Sequence, residues 1–102
     1  MGTVITLSRD FVSRSTARRL TAGITGTDVV IDAGAVTRHN TAAVDELVKQ
    51  LLAADVDRVV LVNATAVFGR ALHTIHRART RPERTFLLLD RNVPQEALLR
   101  AV

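Results

Sequence analysis

Apolar and polar residues follow one another in blocks that predict four strands separated by helices. The four predicted strands are short runs of β-branched and aliphatic residues at positions 4–7, 29–33, 59–62 and 85–89. The second and third runs are apolar almost throughout, which suits strands buried on both faces. We therefore expect the core of this chain to be built on a sheet.

The segments between these runs have helical spacing. Ser13 is a predicted N-cap for a first helix that Gly26 ends, and Asn40 or Thr41 caps the second. Asn63 or Thr65 caps the third, residues 77–84 form a basic connection, and Pro94 opens a short last helix. The apolar stripe of the second helix is the clearest pattern in the chain and consists of Val44, Leu47, Val48, Leu51 and Leu52.

The resulting order is β-α-β-α-β-α-β-α. Such alternation predicts one α/β domain over residues 1–102, with a mainly parallel or mixed sheet of about four strands and about four helices. The helices could cover one face of the sheet or both, because the pattern alone does not distinguish these arrangements.

Composition narrows the class of protein. The 102 residues suffice for one core, and 47% of them are hydrophobic, which is typical of a globular domain. There is no cysteine and no apolar run long enough to cross a bilayer, and the first residues do not resemble a signal peptide. We expect a soluble, cytoplasmic protein with no disulfide and no membrane partner.

Positive charge is concentrated in the second half of the chain. From Arg58 onward, eight arginines stand against three acids, and the whole chain carries a formal charge of +4. A candidate anion-binding face comprises Arg70, His73, Arg77, Arg79 and Arg81. Nucleic acid is therefore an alternative partner, although a chain without Tyr or Trp could only contact phosphates without regard to sequence. An ordinary solvated surface would show the same pattern.

Residue patterns typical of enzymes are missing from the sequence. The five glycines form no phosphate-binding loop, and three histidines without cysteine give no recognisable zinc motif. The adjacent acids Asp45 and Glu46 point about 100° apart on a helix, so they do not converge on one substrate atom. We expect both on a solvated outer face. We predict no catalytic residues, no cofactor, no metal and no enzyme activity.

Residues 30–48, which read VIDAGAVTRHNTAAVDELV, resemble the STAS family of anti-sigma-factor antagonists and sulfate-transporter tails. Residues 59–64 (VVLVNA), 67–72 (VFGRAL) and 93–98 (VPQEAL) are similar to the family's next strand, next helix and last helix. Residues 13–17 (SRSTA) and 45–47 (DEL) are closest to STAS-like domains of unassigned function.

This resemblance implies a regulatory protein-interaction module whose partner is an anti-sigma factor or a related ATPase-type kinase. The implied docking surface comprises His39, Asn40, Thr41, Asp45 and Lys49. Thr41 falls where the antagonists are phosphorylated, although Asn40 replaces an acid there and two alanines replace Ser and Gly. Alternatively, Thr41 is a plain N-cap, and its replacement by Ala would cost about 1 kcal/mol of stability. Self-assembly through apolar edge strands is a third hypothesis.

Overall fold

The computed structural model describes residues 3–24 and 27–91. Its strands are β1 (Thr3–Thr6), β2 (Asp10–Phe11), β3 (Asp28–Asp32), β4 (Arg38–His39), β5 (Arg58–Val62) and β6 (Leu87–Arg91). Its helices are α1 (Arg14–Thr21), α2 (Thr41–Ala53) and α3 (Ala66–Arg79). None of these helices has the length and apolarity that crossing a membrane requires.

Four strands form one parallel sheet in the order β1-β3-β5-β6. Ile5 pairs with Ile31, Ile31 with Leu61, and Leu61 with Asp90. The predicted α/β class and the mainly parallel four-stranded sheet are therefore confirmed. The pattern did not predict β2 and β4, a separate parallel pair of two residues each that places Phe11 beside His39.

Helices α1, α2 and α3 lie on one face of the sheet. Each joins neighbouring parallel strands in the same direction, and right-handed crossovers of this kind place successive helices on the same side. Helix α2 packs between the other two, and its five predicted stripe residues are all buried.

The strands are less buried than their apolar sequences predict. Ile5, Ile31 and Leu61 face the helices and are at most 4% exposed. Val30 and Val60, which alternate with them, are half-buried on the face that no described helix covers. Burial on both faces was therefore the wrong interpretation of these runs for the part of the chain that the structure describes.

Several element boundaries differ from the predicted ones. Helix α3 continues to Arg79, so Arg77 and Arg79 are helical rather than part of the basic connection. Strand β6 begins at Leu87, and α1 ends at Thr21, before the predicted stop at Gly26. Gly26 itself and the predicted last helix after Pro94 lie outside the described residues.

Candidate functional site

Asn40, not Thr41, caps α2. Its side-chain oxygen accepts a hydrogen bond from the backbone N–H of Ala43 at 3.0 Å, while its amide nitrogen donates to the carbonyl of Val12 at 2.7 Å. The backbone of Asn40 is extended, as expected of an N-cap. The side chain of Asn40 therefore caps α2 and also bonds the start of α2 to the segment before α1.

Thr41 is the first residue of α2, and its side chain is exposed. Within residues 3–24 and 27–91, its hydroxyl has no hydrogen-bond partner. The prediction that left Thr41 as an alternative cap was wrong, because Asn40 occupies that position. Thr41 is consequently a free hydroxyl at the positive end of a 13-residue helix.

His39 forms one edge of the same surface but is partly packed inside. Its ring meets the ring of Phe68 edge-to-face, with 5.1 Å between the centroids. Next to it, the guanidinium of Arg38 lies 3.7 Å from the carboxylate of Asp10, and both side chains are more than half exposed. The β2–β4 pair therefore supports the start of α2 with one anchored ring and an exposed ion pair.

Asp45 lies one turn into α2 and is held by the neighbouring helices. Its carboxylate accepts hydrogen bonds from Arg79 of α3 at 2.8 Å and from Arg14 of α1 at 2.9 Å, leaving its side chain 18% exposed. These bonds, that from Arg79 first, lower the pKa of Asp45 to about 2 although partial burial opposes the shift. Asp45 therefore joins all three helices, whereas Lys49, one turn further on, is exposed.

Glu46 is buried, contrary to the expectation that it faces solvent. It is only 1% exposed, and Gln50 donates to its carboxylate at 2.6 Å. Arg14 and Arg18 of α1 approach it at 3.4 and 3.6 Å. The hydrogen bond from Gln50, supported by the cations, lowers the pKa of Glu46 against the effect of burial. The solvated-face prediction was thus wrong for Glu46, and Asp45 is also largely covered.

The predicted docking residues therefore do not form one uniform surface. His39, Asn40 and Thr41 are contiguous at the start of α2, with the Thr41 hydroxyl free among the described residues. Asp45 is already saturated by two arginines, and Lys49 lies two turns from Thr41. The part of the surface open to a partner is the start of the helix together with the β2–β4 pair.

The predicted anion-binding face separates into two regions. Arg70, His73 and Arg77 line an open groove of about 630 Å³ between α3 and β6. Arg79 instead pairs with Asp45, and the guanidinium of Arg81 donates to the carbonyl of Thr80 at 3.1 Å.

The sequence did not place Arg91, Asp90 or Thr65 in this groove. Arg91 and Asp90 enter it from β6, and Thr65 enters it from the start of α3. Asp90 lies 2.9 Å from Nε2 of His73. Only the parallel register, which places the end of β6 beside the end of β5, brings these residues to α3.

The histidines contact different neighbours. His39 packs on Phe68, His73 bonds Asp90, and the ring of His76 stacks on Phe86 at 4.3 Å. Among residues 3–24 and 27–91, no group of three or more His, Cys, Asp or Glu side chains could hold a metal ion.

A scan against protein-family models, a search of curated proteins and a search of solved structures each find no match for this chain. The STAS resemblance therefore stays a prediction that rests on the short motifs quoted above.

Proposed function

We propose that this chain is a non-catalytic protein-interaction module that docks a protein partner at the start of α2. The observation that carries the proposal is the placement of Thr41, an exposed hydroxyl on a helix whose first turn is fixed from two sides. Asn40 fastens that turn to Val12, and Asp45 fastens the next turn to α1 and α3. A rigid, exposed surface of this kind binds without paying an ordering cost.

The groups around Thr41 suit recognition by a protein. The exposed pair of Asp10 and Arg38 offers both signs of charge on the β2–β4 pair just before α2, and the half-buried ring of His39, packed on Phe68, adds a small contact surface. Mixed polar groups around a small apolar contact are typical of transient interfaces. By the STAS resemblance, the partner would be an anti-sigma factor or an ATPase-type kinase that phosphorylates Thr41.

Phosphorylation at Thr41 would act as a switch without unfolding the domain. A phosphate at the first residue of a helix is favoured by the free N–H groups and the dipole of that end. Its two negative charges would alter the docking surface while the Asn40 cap remains in place. The modification would therefore control binding and leave the fold intact.

Affinity capture with immobilised chain tests the proposal. We expect wild type to retain a specific protein that the Thr41→Glu variant loses. The matched control is Thr27→Glu, which adds the same charge at an exposed Thr just before β3, at the opposite end of the parallel strands from Thr41.

The captured partner, incubated with ATP and the chain, would then be assayed for phosphate on Thr41 by peptide mass spectrometry. If wild type and Thr41→Glu retain the same proteins in equal amounts, docking does not occur at this surface. Equal loss with Thr27→Glu would show a non-specific effect of charge and would also contradict the proposal.

A further inference from the structure

The groove between α3 and β6 carries an excess of positive charge. Arg70 and Arg77 enter it from α3 and Arg91 from β6, whereas Asp90 is the one carboxylate among its described lining residues. Within the described part of the chain, none of these three arginines forms an ion pair. Asp90 is engaged by His73, so the three guanidiniums are left available to an external anion.

Several arginines elsewhere in the domain are paired within the fold. The guanidiniums of Arg14 and Arg58 each lie 2.9 Å from an aspartate, and Arg79 donates to Asp45. Those arginines are neutralised by a carboxylate of the fold, whereas the three arginines of the groove are unpaired among the described residues and line the same space. A guanidinium presents several donors in one plane and matches the oxygens of a phosphate.

Gly69 keeps the groove open. It lies inside α3, where glycine costs about 1 kcal/mol relative to alanine. A Cβ built at Gly69 would meet no atom within 4 Å, so close packing does not require glycine at this position. Since Gly69 lines the groove, the missing side chain provides room for a ligand instead.

The start of α3 closes one end of the groove. Thr65 caps the helix by accepting a hydrogen bond from the N–H of Phe68 at 3.2 Å, and Thr65 and Ala66 both line the groove. The positive end of a 14-residue helix therefore adds to the field of the arginines.

We propose that this groove binds a phosphate-bearing small molecule, with its phosphate groups held by Arg70, Arg77 and Arg91. The volume of about 630 Å³ lies in the range of small-molecule sites. A nucleic-acid strand fits less well, because the described residues of the groove include no Phe, Tyr or Trp ring for base stacking, and its one described ring, that of His73, is bonded to Asp90. This site is separate from the docking surface at Thr41.

Titration of ¹⁵N-labelled chain with inorganic pyrophosphate tests the proposal by NMR. We expect saturable shifts confined to residues 64–77 and 88–91. Arg70→Gln should weaken binding about tenfold, the usual loss when one charge-assisted contact is removed. Arg19→Gln is the matched control, because Arg19 is exposed on α1 and has no ion pair among the described residues.

A second variant, Gly69→Leu, fills the groove without removing a charge. It should preserve or raise helicity by circular dichroism and weaken pyrophosphate binding at least tenfold. Unchanged binding in Gly69→Leu, or equal losses in Arg70→Gln and Arg19→Gln, would overturn the proposal. So would binding of a single-stranded oligonucleotide at these residues with no response to pyrophosphate.

Discussion

Asp45 accepts hydrogen bonds from Arg79 with both oxygens of its carboxylate, and so ties the start of α2 to the end of α3. Arg14 adds a third bond from α1 to the same carboxylate. One aspartate of α2 thus binds an arginine from α1 and an arginine from α3. Because α2 also presents Thr41, this carboxylate helps to fix the proposed docking surface.

Replacing Asp45 with Asn should cost about 1–2 kcal/mol in the free energy of unfolding at pH 7, because the acceptor of three charge-assisted bonds loses its negative charge. The pKa of Asp45 is lowered from 3.8 to about 2, so its contribution is complete above about pH 4 and is lost as the pH falls through 2. Urea denaturation of both proteins at pH 7 and at pH 2 measures this difference.

Asp57→Asn is the control for that experiment, because Asp57 is exposed and its side chain has no partner among the described residues. It should leave the unfolding free energy within about 0.5 kcal/mol of wild type. An equal loss in the two variants, or a loss in Asp45→Asn that is as large at pH 2 as at pH 7, would show that the ionised carboxylate of Asp45 does not stabilise the fold.

The cap of α2 yields a second prediction. Asn40→Ala removes the bonds to Ala43 and Val12 and should cost about 1–2 kcal/mol of stability. Thr41→Ala should change stability by less than about 0.5 kcal/mol, because that side chain is exposed. Urea denaturation of the two variants compares adjacent positions directly. A larger cost for Thr41→Ala would contradict the assignment of the cap to Asn40.

His76 gives a third prediction, which concerns pH. Nε2 of His76 is buried without a hydrogen-bond partner in the described residues, while the ring stacks on Phe86. Burial, aided by the nearby His73, lowers the pKa of His76. The unfolded chain therefore binds the proton more readily, and stability is lost as the pH falls below the ordinary value of 6.5.

His76→Phe should keep the stacked ring and remove the unsatisfied nitrogen, which stabilises the fold by about 1 kcal/mol. The gain should be larger at pH 5.5 than at pH 7.5, measured by urea denaturation. An unchanged pH dependence would show that His76 is not the group responsible.

The hydrophobic pattern was sufficient to predict the four strands of the sheet and the three described helices. Short runs of β-branched and aliphatic residues identified the strands, and the period of 3.6 residues identified the stripe from Val44 to Leu52. Two-residue strands such as β2 and β4 carry no periodicity, so their pairing depends on chain geometry that the pattern does not contain. The pattern also left open whether the helices cover one face of the sheet or both. The strand order of the structure places all three described helices on one face.

The site was less predictable because its contacts join distant segments. Glu46 is a charged residue of the kind expected on an exposed helix face. It is buried instead, and Arg14, 32 residues away in the chain, bonds it across the contact between α1 and α2. Asp90 meets His73 in the same way, 17 residues away. The one signal available was Arg14 and Arg18 at a spacing of four, a pair of cations on one helix face.

The end of α2 gives a fourth prediction. Asp55 follows the C-cap residue Ala54 and adopts φ 56°, a left-handed conformation that costs a side chain about 1 kcal/mol. Asp55→Gly should therefore raise the free energy of unfolding by about 0.5–1 kcal/mol, since glycine adopts this conformation without strain. Ala54→Gly, at φ −84°, is the control and should lower it by a similar amount. Thermal unfolding of the two variants should shift the midpoint in opposite directions, and a fall in both would show that φ 56° imposes no strain on Asp55.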